Sequence, residues 1–209
     1  MRWKSVPLIA AMLVVALVGA VTVAQDHERG STPLFNAEDL LFLKHMIVHH
    51  EQAVVMSALV PARTDRDEFI RFARYVARAQ AAEIASMQSL LELATDRGID
   101  VPDYHAHGDP PMAGMLSSAE MKAIAAASGA EFERLWLEGM VYHHQGAIDM
   151  ASAQQRQQLA TGRQPYEIAV LVEEILVEQR AEIDKMRAWL GEWGLAGRAR
   201  RSDVAQRAE

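Results

Sequence analysis

Residues 45–56 read HMIVHHEQAVVM and residues 139–150 read GMVYHHQGAIDM, and these two stretches decide the fold. Aligned 94 residues apart, they share a methionine, a His-His pair, an alanine and a final methionine. A second pattern is repeated as well, because QAAEIASMQSLL from Gln80 aligns with QRAEIDKMRAWL from Gln179. The sequence is therefore predicted to contain two copies of one helical hairpin.

Helix-forming residues dominate the chain around both repeats, whereas its 12 Gly and 7 Pro are clustered. Start and stop signals predict four long helices over 36–61, 65–96, 128–162 and 165–191, with a short helix over 117–128. Capping pairs are predicted at the helix starts: Asn36 with Asp39, Asp65 with Glu68, Ser117 with Glu120 and Ser128 with Glu131. The predicted fold is all-α: a duplicated four-helix bundle over 36–193, with repeat one at 36–97, a long crossover linker at 98–127 and repeat two at 128–193.

The two ends of the chain are predicted to lie outside this bundle. Arg2 and Lys4 precede an apolar run over 6–23 with small residues near Ala24, which is the pattern of a secretory signal peptide over 1–24. An uncleaved membrane anchor is the alternative, since the run nearly reaches the ~20 residues that span a bilayer. Both interpretations place the remainder outside the cytoplasm, in the periplasm or medium. The polar, Arg-rich segment 197–209 is expected to be a mobile tail.

Composition excludes several classes of function. The formal net charge of −7 disfavours nucleic-acid binding, which needs a basic surface. The chain contains no cysteine, so disulfides, thiolate metal sites and cysteine nucleophiles are all excluded.

Histidine and methionine share one face of each of two predicted helices. Imidazoles buried in a helical core cost roughly 1–3 kcal/mol each without partners, which favours a ligand role over packing. The predicted metal ligands occupy equivalent positions in the two repeats: Met46, His49, His50 and Met56, and Met140, His143, His144 and Met150. Neutral imidazole is the ligand form, so binding is expected to weaken as the pH falls through the ordinary histidine pKa of ~6.5.

The other two long helices each carry one polar face that is predicted to meet these histidines. Its members either bind the ion directly or orient the rings through hydrogen bonds, and the two glutamines are assigned the hydrogen-bonding role. These residues are Gln80, Glu83 and Met87, and Gln179, Glu182 and Met186.

Ligand softness selects the metal. Thioethers favour Cu(I), imidazole suits copper and zinc, and carboxylates suit hard ions, so copper is preferred over zinc or iron. The linker adds four further donors, which are expected to be solvated, with a flexible extra copper site as the alternative: His105, His107, Met112 and Met115.

Two other classes of function stay open at this point. A di-metal oxidase or peroxide-handling enzyme would use Glu83, Glu182 and the histidines, but such bundles need about four inward carboxylates. Glu51 and Glu138 fall on the outer helix faces, which leaves too few. A purely structural or interaction bundle is the third class.

The chain resembles the family catalogued as domain of unknown function 305. The resemblance rests on FLKHMIVHHEQAVVMS from Phe42, AQAAEIASMQSLL from Ala79, SGAEFERLWLEGMVYHHQGAIDMA from Ser128 and VEQRAEIDKMRAWL from Val177. It implies an exported, ferritin-like four-helix bundle that binds copper through the His and Met positions named above. Its implied partners are the metal ion and a copper-delivery or efflux protein. His45 stands where related sequences often carry methionine, and Gly139 occupies the equivalent place in the second repeat.

Overall fold

The computed structural model describes residues 34–101 and 112–196, and all regular structure in these two ranges is helical. The helices are α1 (Ala37–Leu59), α2 (Asp67–Asp96), α3 (Ser118–Ala126), α4 (Gly129–Thr161) and α5 (Tyr166–Glu192), with a 3-10 turn at Val60–Ala62. The predicted all-α class is therefore confirmed. The predicted signal peptide or anchor over 1–24, the tail over 197–209 and the linker histidines His105 and His107 lie outside the described residues.

The four long helices share one hydrophobic core. α1 packs along α2 and α4 along α5, while α1 also meets α4 and α3 lies against α4. An aromatic cluster connects α2 with α4 and α5. The ring of Phe69 on α2 lies edge-on to Trp136 of α4 at 4.9 Å and to Trp189 of α5 at 6.1 Å. The ferritin-like topology and the division into repeats stay predictions.

Two predicted helix starts are correct in detail. The Asn36 side chain accepts a hydrogen bond from the Asp39 amide at 2.7 Å, and the Asp39 carboxylate accepts one from the Asn36 amide at 3.0 Å. Ser117 and Glu120 form the same reciprocal box before α3. Each box satisfies amide groups that the first helical turn leaves without partners.

The capping box predicted at Asp65 is wrong. α2 begins at Asp67, and its N-cap Arg66 receives no side-chain hydrogen bond. The Thr64 hydroxyl instead accepts from the Arg66 amide at 3.1 Å and donates to the Glu133 carboxylate at 2.5 Å. A contact between the two hairpins thus replaces the local cap.

The start of α4 also differs from the prediction. Ser128 is the N-cap residue, but its side chain makes no capping hydrogen bond. Glu131, the predicted partner, is held by the Arg134 guanidinium at 2.7 Å. An ion pair on the helix surface has taken the carboxylate that the capping box would have used.

Among the helices of the described ranges, none combines the length and apolar character that crossing a bilayer requires.

Candidate metal centre

The two hairpins meet at a pair of imidazoles whose ring planes are tilted by 34° to each other. His49 on α1 and His143 on α4 are both fully buried, with their ring centroids 3.7 Å apart. The Nε2 of His143 lies 2.9 Å from the His49 carbonyl oxygen. A carbonyl can only accept, so this nitrogen carries the proton and donates. The predicted inward orientation of these equivalent histidines is what the structure shows.

Each neighbouring histidine faces a carboxylate within its own hairpin. His144 Nε2 donates to the Glu182 carboxylate across 2.6 Å, joining α4 to α5. His50 Nε2 lies 2.8 Å from the Glu83 carboxylate, joining α1 to α2, although that oxygen is displaced from the N–H direction. Both rings are fully buried. The two carboxylates therefore orient rings at equivalent positions of the two repeats.

The hydrogen-bond partner of His49 comes from the linker, which the sequence analysis did not predict. His49 Nε2 donates to the Ala113 carbonyl at 3.0 Å. The Gln52 amide holds the same segment twice, donating to the Leu116 carbonyl at 2.9 Å and accepting from its amide at 2.8 Å. The linker backbone lies so close to α4 that a Cβ on Gly146 would be 2.1 Å from the Ala113 oxygen. A helical glycine was the available signal, since it often marks close backbone approach.

In all four rings the same nitrogen, Nδ1, is left without a hydrogen bond to the part of the chain that the structure describes. Nε2 is hydrogen-bonded to an oxygen in His49, His143 and His144 and lies 2.8 Å from the Glu83 carboxylate in His50, whereas Nδ1 of all four rings is buried and has no hydrogen-bond partner among the described residues. A ring that carries its proton on Nε2 presents a lone pair on Nδ1. Leaving such a buried acceptor unsatisfied costs about 1–3 kcal/mol. Four repetitions of this cost in one core favour a site that binds a ligand.

Burial keeps the central pair neutral. It is the main reason that the pKa of His49 falls to about 3, helped by the neighbouring His50 charge and opposed by the bond to Ala113. Burial likewise holds the pKa of His143 well below its ordinary value, with the charge of His49 as the next cause. Neutral rings are therefore present far below pH ~6.5, and the expected weakening of binding moves to lower pH at these two positions.

The predicted methionines occupy two environments. Met46, Met56, Met87, Met140 and Met186 are fully buried, and Met46 and Met140 precede His49 and His143 by one helical turn. Met150 is only half-buried and lines a groove between α1 and α4. The structure thus sets Met150 apart from the buried histidines.

The predicted glutamine role is not seen. Gln80 and Gln179 are buried as expected, but the side-chain oxygen of each has no hydrogen-bond partner among the described residues. They lie one turn before Glu83 and Glu182 on their helices. Both add unsatisfied polar atoms to the core.

The carboxylates and histidines of the described residues do not converge on one point. Within residues 34–101 and 112–196, no three His, Asp or Glu groups converge as ligands. Glu51 is exposed and Glu138 pairs with Arg134, in agreement with their predicted outward orientation.

The fold and the site define an all-helical protein built around a buried histidine centre that is braced by two carboxylates. The chain belongs to the DUF305 family, a domain of unknown function, whose model matches residues 39–190.

Solved structures share this fold. A DUF305 protein from Streptomyces coelicolor, described as secreted, is 32% identical, with 76% of this chain and 94% of that chain covered and a TM-score of 0.64. A DUF305 fragment from Deinococcus radiodurans is 26% identical, with 75% and 97% covered and a TM-score of 0.62.

CopM in its Cu(I)-bound form is 28% identical, with 74% of this chain and 96% of that chain covered and a TM-score of 0.58. CopM also has Cu(II)-bound, Ag-bound and apo forms among the similar structures. A comparison with curated proteins gave no match.

Proposed function

We propose that this protein binds copper, preferably as Cu(I), in its buried histidine centre and thereby sequesters the ion or passes it on. One observation carries the proposal: four buried imidazoles have Nδ1 without a hydrogen-bond partner among the described residues, while Nε2 is hydrogen-bonded to an oxygen in three of them and lies 2.8 Å from a carboxylate in His50. Metal-bound histidines are typically held this way, since an acceptor on one nitrogen fixes the tautomer and directs the other at the ion.

The central ligands are the Nδ1 atoms of His49 and His143, because these two rings touch and both are neutral. Met46 and Met140 are buried one turn away, a helical spacing at which about 5–6 Å separates the Cβ atoms. Their thioethers complete a soft coordination shell that suits Cu(I).

His50 and His144 extend the centre toward the two carboxylates. Glu83 and Glu182 are buried, with only 9% and 5% of their surface exposed to solvent. Their negative charges compensate the positive charge that a bound cuprous ion brings into the core, which an apolar surrounding would not. CopM, similar in structure, binds Cu(I), Cu(II) and Ag, which supports copper over zinc or iron.

The proposed setting is the periplasm or the medium. It rests on the signal-like segment 1–24 and on the similarity to a DUF305 protein described as secreted. There the protein would receive copper from, or deliver it to, a copper-delivery or efflux protein. Contact with a membrane is proposed only for a chain that retains its N-terminal segment.

Replacing either central histidine should remove copper binding. His49→Ala and His143→Ala are expected to lower Cu(I) affinity by roughly a hundredfold or more, because loss of a ligand costs several kcal/mol. Metal analysis of protein from copper-supplemented cells, followed by anaerobic competition titration with a Cu(I) chelator, measures this loss.

Gln154→Ala is the matched control for these variants. Gln154 is buried on α4 and donates to Asp39 of α1 at 2.6 Å, so its loss weakens the same helix interface without removing a ligand. The control should keep wild-type copper affinity. Full copper loading of both histidine variants would refute the proposed centre.

The thioether contribution can be separated from packing. Met46→Leu with Met140→Leu should cost under ~1.5 kcal/mol per site, because the volume change is small. Cu(I) affinity should nevertheless fall while Cu(II) affinity changes little, since thioethers prefer the reduced ion. Unchanged Cu(I) affinity in the competition titration would assign both methionines to packing and leave a histidine-only site.

A further inference from the structure

The linker backbone at 112–116 lies between α1 and α4, and each helix holds it in a different way. On α1, Gln52 donates to the Leu116 carbonyl at 2.9 Å and accepts from the Leu116 amide at 2.8 Å. On α4, Gly146 leaves no room for a side chain, because a Cβ there would lie 2.5 Å from the Gly114 Cα. The linker is thus held by hydrogen bonds on one side and by close backbone packing on the other.

Gln52 and Gly146 occupy equivalent positions of the two repeats, 94 residues apart. The histidines that precede them by three residues are equivalent as well, but the acceptors of these histidines differ. His143 donates to the His49 carbonyl inside α1, whereas His49 donates to the Ala113 carbonyl of the linker. One half of the centre therefore depends on a helix backbone, and the other half depends on the linker that Gln52 binds.

We propose that Gln52 is a positioning residue, which holds the Ala113 carbonyl in place and thereby fixes the tautomer of His49. A carbonyl oxygen only accepts hydrogen bonds, so it keeps the proton on Nε2 and leaves the Nδ1 lone pair for an ion. Ala113 is exposed, so water replaces its carbonyl whenever the linker moves away. Water both donates and accepts, and it therefore allows the proton to occupy either nitrogen. The proposal rests on the proposed copper function, but the tautomer can be measured in the copper-free protein.

The experiment is ¹H–¹⁵N NMR of the histidine rings in the copper-free full chain, which distinguishes the two tautomers by the ¹⁵N shifts of the ring nitrogens. Gln52→Leu removes both hydrogen bonds to Leu116 and keeps most of the side-chain volume. We expect it to populate the Nδ1-protonated form of His49 and to weaken Cu(I) binding by roughly tenfold, as when the partner of a metal-bound histidine is replaced. His144 is the internal control, since its acceptor is the Glu182 carboxylate on α5 and its tautomer should not change.

Two further variants separate positioning from a general loss of structure. Gly146→Ala pushes the same linker away from the α4 side while Gln52 stays in place, so it should change the His49 tautomer in the same way. Gln154→Leu removes a buried hydrogen bond between α1 and α4 without touching the linker, and it should leave the His49 spectrum unchanged. A His49 ring that stays wholly Nε2-protonated in Gln52→Leu would overturn the positioning role, and so would an equal tautomer change in Gln154→Leu or at His144. The expected tautomer change in a chain that binds no copper would uphold the positioning of His49 and refute the copper function.

Discussion

Unfolding the copper-free protein is expected to require much less urea at pH 5 than at pH 7. His49, with a pKa of about 3, and His143, with a pKa well below 6.5, stay neutral in the folded protein. Both rings take up a proton near pH ~6.5 once the chain unfolds. Their contribution to stability is therefore complete above pH ~6.5 and is lost as the pH falls toward 3.

The size of this effect follows from the two rings together. A group that binds a proton only in the unfolded state lowers the free energy of unfolding by about 1.4 kcal/mol for each pH unit of acidification. The two rings together should therefore lower it by up to ~2.7 kcal/mol per pH unit below pH ~6. Urea titrations between pH 7.5 and 5 measure it while most carboxylates remain ionised. His49→Gln should roughly halve the slope, and Gln154→Ala should lower stability at every pH without changing the slope. A flat profile would mean that the folded pair binds protons as readily as the unfolded chain.

Gly146→Ala should destabilise the protein, although alanine normally favours a helix over glycine by about 0.5–1 kcal/mol. The new Cβ would lie 2.1 Å from the Ala113 oxygen and 2.5 Å from the Gly114 Cα, and neither backbone atom can rotate away. The linker must move off α4, which also removes the acceptor of His49. The expected loss is about 1–3 kcal/mol, in the range of overpacked cores.

Gly191→Ala is the matched control for this substitution. It lies near the end of α5 with no atom within 4 Å of its added Cβ, so it should be neutral or stabilising. Urea unfolding of the two variants compares a crowded helical glycine with an open one. Equal stability of both variants would show that the linker does not press against α4.

The sequence predicted most contacts within each helical hairpin and few of the contacts between the two hairpins. Helical spacing placed His49 and His143 inward and set Glu83 and Glu182 opposite the neighbouring histidines. These relations are local to one helix or one hairpin, and the periodicity of an α-helix determines them.

The acceptor of His49 was beyond such reasoning. It is the Ala113 carbonyl, a backbone atom 64 residues away in an irregular linker. Any residue carries a carbonyl, so no side-chain pattern identifies it. The missing cap at Asp65 has a similar cause, because the Thr64 hydroxyl accepts from the Arg66 amide while it donates to Glu133 of α4, a residue 69 positions away. Met150 was grouped with the buried methionines because equivalent sequence positions were expected to have equivalent surroundings, whereas α3 and the linker cover only Met56.

The His49–His143 pair joins residues 94 positions apart. During synthesis, the hairpin that carries His49 leaves the ribosome before His143 has been made. Long-range contacts of this kind slow folding, because the entropy of closing the intervening chain is lost before they form. The centre therefore forms only when one helical hairpin closes on the other, and neither hairpin can assemble it alone.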